Sequence, residues 1–126
     1  MIRLATVCVA VIAVLGTSAA AAASSKVMGP DSCTLNVLSV RKSALMLYVG
    51  AHLEGTCRGQ VAVDLEFALG QSGPWQVVDS TLTLPADPDA AGGTAWFEES
   101  YGCGYYRGVG AFDGLVSVSP RPVLHC

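Results

Sequence analysis

The clearest alternation in the chain runs over residues 60–69, where Val61, Val63, Leu65, Phe67 and Leu69 fall on one side and Gln60, Ala62, Asp64 and Glu66 on the other. A period of two with apolar residues on one side predicts a half-buried β-strand. A second run sets Leu45, Leu47, Val49, Ala51 and Leu53 against Met46, Tyr48, His52 and Glu54. A third sets Ala95, Phe97, Glu99 and Tyr101 against Thr94, Trp96, Glu98 and Ser100. Weaker strand patterns cover residues 35–40, 75–84, 105–112 and 115–124. Between them lie Gly70-Gln71-Ser72-Gly73-Pro74 and the longer turn-rich segment 85–93, with its Pro85, Pro88, Gly92 and Gly93. Such residues punctuate strands and break helices. About seven short strands with regular turn signals predict an all-β, antiparallel, two-sheet β-sandwich.

Residues 1–23 follow another rule. Arg3 precedes a largely apolar run from Ala5 to Leu15, broken only by Thr6, which leads into the small residues Ala19-Ala20-Ala21-Ala22-Ala23-Ser24-Ser25. This is the order of a secretory signal peptide cleaved after about Ala23, and the run is shorter than the roughly 20 apolar residues needed to span a bilayer. The mature chain, residues 24–126, is then a single extracellular domain with no membrane segment. Much of the 52% hydrophobic content belongs to the leader. Without Arg3, six basic residues face ten acidic ones, and no basic cluster is longer than Arg41-Lys42. That balance argues against nucleic acid or an anionic membrane as partner. About a hundred residues make one domain with a marginal core, which covalent staples would help.

Of the five cysteines, Cys8 lies in the leader, and Cys33, Cys57, Cys103 and Cys126 remain, an even number in an exported chain. This reads as a disulfide framework. No CxxC spacing is present, so no metal site is expected. Four cysteines admit three pairings. Asp113-Gly114 is a strong hairpin turn, and strands paired across it bring Cys103 and Cys126 together with a two-residue offset that a bulge near Pro120 or Pro122 would absorb. Cys103–Cys126 is therefore favoured, with Cys33–Cys57 as its companion. For that second pair, the turn signal at Arg41-Lys42-Ser43 falls three residues before the midpoint.

Tyr101-Gly102-Cys103 resembles the tyrosine corner of immunoglobulin-like domains, in which a Tyr lies two residues before a strand cysteine. The resemblance implies an immunoglobulin-like architecture and, as a second pairing, an inter-sheet Cys57–Cys103 bridge with Cys33–Cys126. Phe67 stands where that family carries its core Trp. In size, export and consecutive cysteine pairing the chain is also similar to the small secreted two-disulfide α-amylase inhibitors. Where those present a Trp-Arg-Tyr triplet on the first disulfide-closed hairpin, this chain has Val40-Arg41-Lys42-Ser43. The inhibitory residues do not carry over.

Catalytic candidates are few. His52 falls on the polar face of a predicted strand and His125 is next to the last residue, while no GxSxG elbow occurs. Asp64 and Glu66 share one strand face at about 7 Å, but a solvated face has no walls to raise the pKa of an acid. Glu98 and Glu99 point to opposite faces. His52 with Glu54 supplies two metal ligands and no third. We expect no catalytic residues, no metal and no cofactor.

For binding, exposed aromatic and arginine residues are the usual energetic anchors. Val109 and Ala111 are in phase with Tyr105, which predicts Tyr105 inward and Tyr106 outward. Trp96 is out of phase with Ala95 and Phe97, which predicts exposure. Arg107 interrupts the apolar face, with its head at the rim or paired to Glu99. Trp96, Tyr106 and Arg107 are the expected binding residues, and glycines 102, 104, 108 and 110 would allow close approach by a partner or a neighbouring sheet. The 85–93 loop is a further expected partner-facing surface. The ranking that follows is a secreted, non-enzymatic binding or inhibitor-like module for an extracellular protein or glycan. After it come an envelope or matrix component that self-associates through an edge strand, then a small hydrolase.

Overall fold

The computed structural model of the chain describes residues 26–28, 32–98 and 101–126. The expected leader, Glu99 and Ser100 lie outside them. In chain order the strands are β1 (Lys26–Met28), β2 (Thr34–Val37), β3 (Arg41–Ser43), β4 (Met46–Glu54) and β5 (Ala62–Ala68), then β6 (Gln76–Leu82), β7 (Gly92–Glu98), β8 (Gly104–Phe112), β9 (Leu115–Val118) and β10 (Val123–His125). They form two antiparallel sheets, with no α-helix among the described residues. In the first sheet β4 pairs with β7 along one side and with β2 and then β3 along the other, while β1 adds to β2. In the second, β8 pairs with β5 on one side and with β10 and then β9 on the other, and β6 adds to β5.

Ten strands stand where about seven were expected, because one expected strand is broken in two, an expected turn is itself a strand, and the short β1 adds to the first sheet. Segment 115–124 divides into β9 and β10. Pairing across Asp113-Gly114 matches Phe112 with Leu115 and Val109 with Val118, but beyond the break Tyr106 faces Val123, a slip of two residues. The slip contains Pro120 and Pro122, which cannot donate to the ladder. It brings Cys103 and Cys126 together as a disulfide. On the first sheet, Arg41-Lys42-Ser43 is not a turn but the strand β3, paired with Tyr48, Leu47 and Met46. The reversal falls at Ala44-Leu45, with Ala44 in the left-handed region at φ 53°. That turn is centred on the Cys33–Cys57 pair, which is the second disulfide. Each bridge joins neighbouring strand ends within one sheet, so the alternative Cys57–Cys103 pairing does not form.

The core lies between the sheets and takes Leu35, Val37, Leu47, Val49, Val63, Leu65 and Phe97. Leu45 and Leu69, expected inside, are 79% and 83% exposed. Leu45 occupies the turn, and Leu69 follows the end of β5, past a register shift at Leu65/Glu66.

The largest departure concerns β8, whose inward residues are Gly104, Tyr106, Gly108 and Gly110. Tyr106 is 1% exposed and packs edge-on against Phe67 at 5.1 Å, so its expected outward orientation is incorrect, as is the inward one of Tyr105. The cause is the close approach of the two sheets. A Cβ at Gly108 would lie 2.8 Å from Val49 Cγ1, and one at Gly110 2.7 Å from Val37 Cγ2. Only glycine fits there. The next strand follows suit with buried Ser117 and Ser119, and Ser119 Oγ accepts a hydrogen bond from the Gly108 amide at 3.0 Å. In this hairpin the small residues face in, and Val109, Ala111, Val116 and Val118 face out.

The sheets are also tied at one end. Lys42 Nζ donates to the Cys126 carbonyl at 3.0 Å, and His125 Nε2 donates to the Val40 carbonyl at 3.0 Å.

Candidate functional site

The outer face of the first sheet is built by the polar side of the β4 alternation. Met46, Tyr48, Gly50, His52 and Glu54 point outward there, and directly opposite residues share the face. Three strands thus contribute a row of Arg41 on β3, Tyr48 on β4 and Trp96 on β7. The Tyr48 and Trp96 rings lie 4.9 Å apart between centroids at an interplanar angle of 32°, an offset, tilted pair. Trp96 is 41% exposed, as its phase predicted. Arg41 is exposed and makes no ion pair or hydrogen bond among the described residues.

Rows on either side of the aromatic pair are largely polar. One carries Ser43, Met46 and Glu98, while the other carries Gly50 with Thr94, followed by Asn36 with His52. His52 and Leu38 lean over the backbone of Gly50, where an added Cβ would meet Leu38 Cδ1 at 2.9 Å and His52 Nε2 at 3.2 Å. The imidazole therefore lies over the Gly50 backbone, in space that a side chain at position 50 would take. The arrangement offers two stacked π-faces with a cationic donor on one flank and an imidazole on another.

The outer face of the second sheet holds Arg107 in a closed arrangement. Arg107 Nε donates to Glu66 Oε1 at 2.6 Å, and its guanidinium carbon lies 4.5 Å from the Trp75 ring centroid. Glu66 stands on the neighbouring strand, while Glu99, the expected partner, lies outside the described residues. Asp64 on the same face accepts a hydrogen bond from Ser80 Oγ at 2.6 Å. Both carboxylates of the considered acid–base pair thus engage neighbouring side chains. Beyond them runs an apolar row of Leu82, Ala62, Ala111 and Val116, all exposed.

Trp96, Tyr106 and Arg107 are therefore not brought together: one lies on each outer face, and Tyr106 lies in the core between them. Tyr48 and Arg41 were missed as site residues. Tyr48 had a visible signal, an aromatic residue on the polar side of a well-defined strand.

No protein-family model, curated protein or solved structure matches this chain.

His125 lies on β10 at the sheet junction, bound to Val40, away from both outer faces. Tyr101 Oη donates to Asp79 Oδ2 at 2.7 Å. The base of the 85–93 loop is pinned, with the Gly59 amide donating to the Ala90 carbonyl at 2.6 Å and the Leu53 amide to the Ala91 carbonyl at 3.1 Å. Its outer residues 85–89 are exposed. Among the described residues no group of three or more His, Cys, Asp or Glu side chains is arranged to hold a metal ion.

Proposed function

We propose that this chain is a secreted, non-enzymatic binding or inhibitor-like module that recognises an extracellular protein or glycan through the outer face of its first sheet. The observation that carries the reading is the stacked, partly exposed Tyr48–Trp96 pair beside Arg41, which has no ion-pair partner among the described residues. Aromatic and arginine side chains presented by a rigid sheet are the groups that most often dominate recognition energy. Two disulfides accord with an oxidising, extracellular location. The engagement of Asp64 by Ser80 and of Glu66 by Arg107 supports a non-catalytic role, since both carboxylates are taken up by side chains of the same sheet face.

The framework reads as immunoglobulin-like. Two sheets share one core, β4 lies between β7 and the β2–β3 lane, and β8 lies between β5 and the β9–β10 lane with β6 outside it. This order supports that reading although both disulfides stay within single sheets. The test of function is capture of culture-medium proteins and cell-wall polysaccharides on the oxidised mature domain. Capture lost in Trp96→Ala supports the first-sheet surface, and capture unaffected by Trp96→Ala and Tyr48→Ala overturns it.

A second reading rests on the exposed Leu82–Ala62–Ala111–Val116 row. Contiguous exposed apolar surface marks interaction sites, and a structural component that self-associates would use this sheet face. Sedimentation equilibrium tests it: a mass that rises with concentration and falls back in Val116→Lys supports the reading, and a constant monomer mass excludes it.

A further inference from the structure

We infer that a second copy of this chain covers the outer face of the second sheet, in a closed two-fold dimer whose sheets pack face to face. The inference rests on the self-association reading above and narrows it from an open assembly to a pair. Its starting point is the β8–β9 hairpin, where glycines and serines face the core and Val109, Ala111, Val116 and Val118 face out. An antiparallel sheet with one face in water normally turns its apolar residues inward and its polar ones outward. Here the apolar side is the outer one. The pattern runs across the sheet, from the Leu82–Ala62–Ala111–Val116 row at one end to Tyr105 and Leu124 at the other. Leu82, Val116 and Leu124 are each at least half exposed in the single chain.

Charge, area and closure each point to a second copy as the occupant. A two-fold interface sets a patch against its own image, so a charge left open on it meets its like. On this face Arg107 and Glu66 close on each other at 2.6 Å with Trp75 against the guanidinium, and the Asp64 carboxylate turns to Ser80 on β6, the outermost strand. The face thus asks no countercharge of its partner. Four strands about 4.8 Å apart, crossed by four residue rows about 6.8 Å apart, span roughly 500 Å² in projection. Upright side chains raise the accessible area above that, towards the roughly 600–1,000 Å² that each partner buries in a specific complex. Sheets stacked about 10 Å apart would interdigitate Leu82, Val109, Val116 and Val118 with their images. Growth stops at two because the opposite outer face carries Arg41, His52, Glu54 and Glu98 and offers no second apolar sheet surface. In such a pair the two first-sheet faces point away from each other, and the Tyr48–Trp96 pair is presented twice.

The experiment is sedimentation equilibrium of the mature, oxidised protein over a wide concentration range. The mass is expected to rise and then level at twice that of the single chain. Val109→Lys and Val116→Lys are each expected to weaken pairing at least about tenfold, and Arg41→Ala, on the opposite sheet, to leave it unchanged. Circular dichroism verifies the fold of each variant, and the exposed Val116 keeps the test alive if Val109→Lys does not fold. In Trp96→Phe, Trp75 is the sole tryptophan of the mature chain, and its emission is expected to move to shorter wavelength over the concentrations at which the mass doubles. A mass that climbs past the dimer overturns the closed pair and leaves self-association standing. A constant monomer mass overturns both. A dimer that neither lysine weakens has its contact elsewhere, and that result also overturns the inference.

Discussion

On the second sheet Arg107 lies 4.5 Å from Trp75 and reaches Glu66 at 2.6 Å, whereas on the first sheet Arg41 lies beside Tyr48 and Trp96 without an ion pair among the described residues. The ingredients are nearly the same. In one place the arginine's charge is met by an acid of the same domain, its guanidinium lies over an aromatic ring, and little of either is left for a partner. In the other the aromatic rings stack on each other and the arginine keeps its donors in solvent. An exposed Arg and Trp in a sequence therefore say little about binding until the positions of the acidic residues are known. Residue type names the anchor, and the neighbouring strand determines whether it is free.

This contrast depends first on the parity of β8, which puts Tyr106 inside and Arg107 outside. Tyr106→Ala is expected to cost about 3–5 kcal/mol in urea unfolding, as large-to-small core substitutions do. A loss below about 1 kcal/mol would return Tyr106 to the surface and dissolve the comparison. Gly108→Ala is expected to cost about 1–3 kcal/mol, because the new methyl presses on Val49 across the sheets. A neutral result would mean that the sheets stand further apart. Next in size is the closed arrangement itself. Arg107→Met should cost about 1 kcal/mol, and a double-mutant cycle with Glu66→Gln should show coupling of roughly 0.5–1 kcal/mol that shrinks in high salt. Smallest is Arg41→Ala, within about 0.5 kcal/mol in thermal melts. A large stability loss there would mean that Arg41 is structural, and the two faces would no longer differ in kind.

Part of this was legible in the sequence. The hairpin at Asp113-Gly114 and the two-residue slip near Pro120 and Pro122 could be read because those residues impose backbone geometry directly, whatever surrounds them. The orientation of β8 could not. Hydrophobic phase is scored on side chains, and where two sheets touch closely the core positions are glycines and serines that carry no apolar signal, while Val109 and Ala111 outside carry the wrong one. The strand Arg41–Ser43 was read as a turn for a related reason: all three residues are exposed, so no alternation marks them. Tyr48 and Trp96 each showed their exposure by phase. Their meeting required the register between β4 and β7, which belongs to the long-range fold.

The two interrupted lanes have a consequence for the life of an exported protein. A sheet border offers unpaired amides and carbonyls to any passing strand, and a long, straight border can seed fibres. Here β3 is three residues long, and the β9–β10 border is interrupted by two prolines and a change of register. A strand arriving in register with β9 would fall out of register at β10 and meet two positions without an amide hydrogen. The same slip that lets Cys103 reach Cys126 also keeps copies of the chain from templating one another along that border.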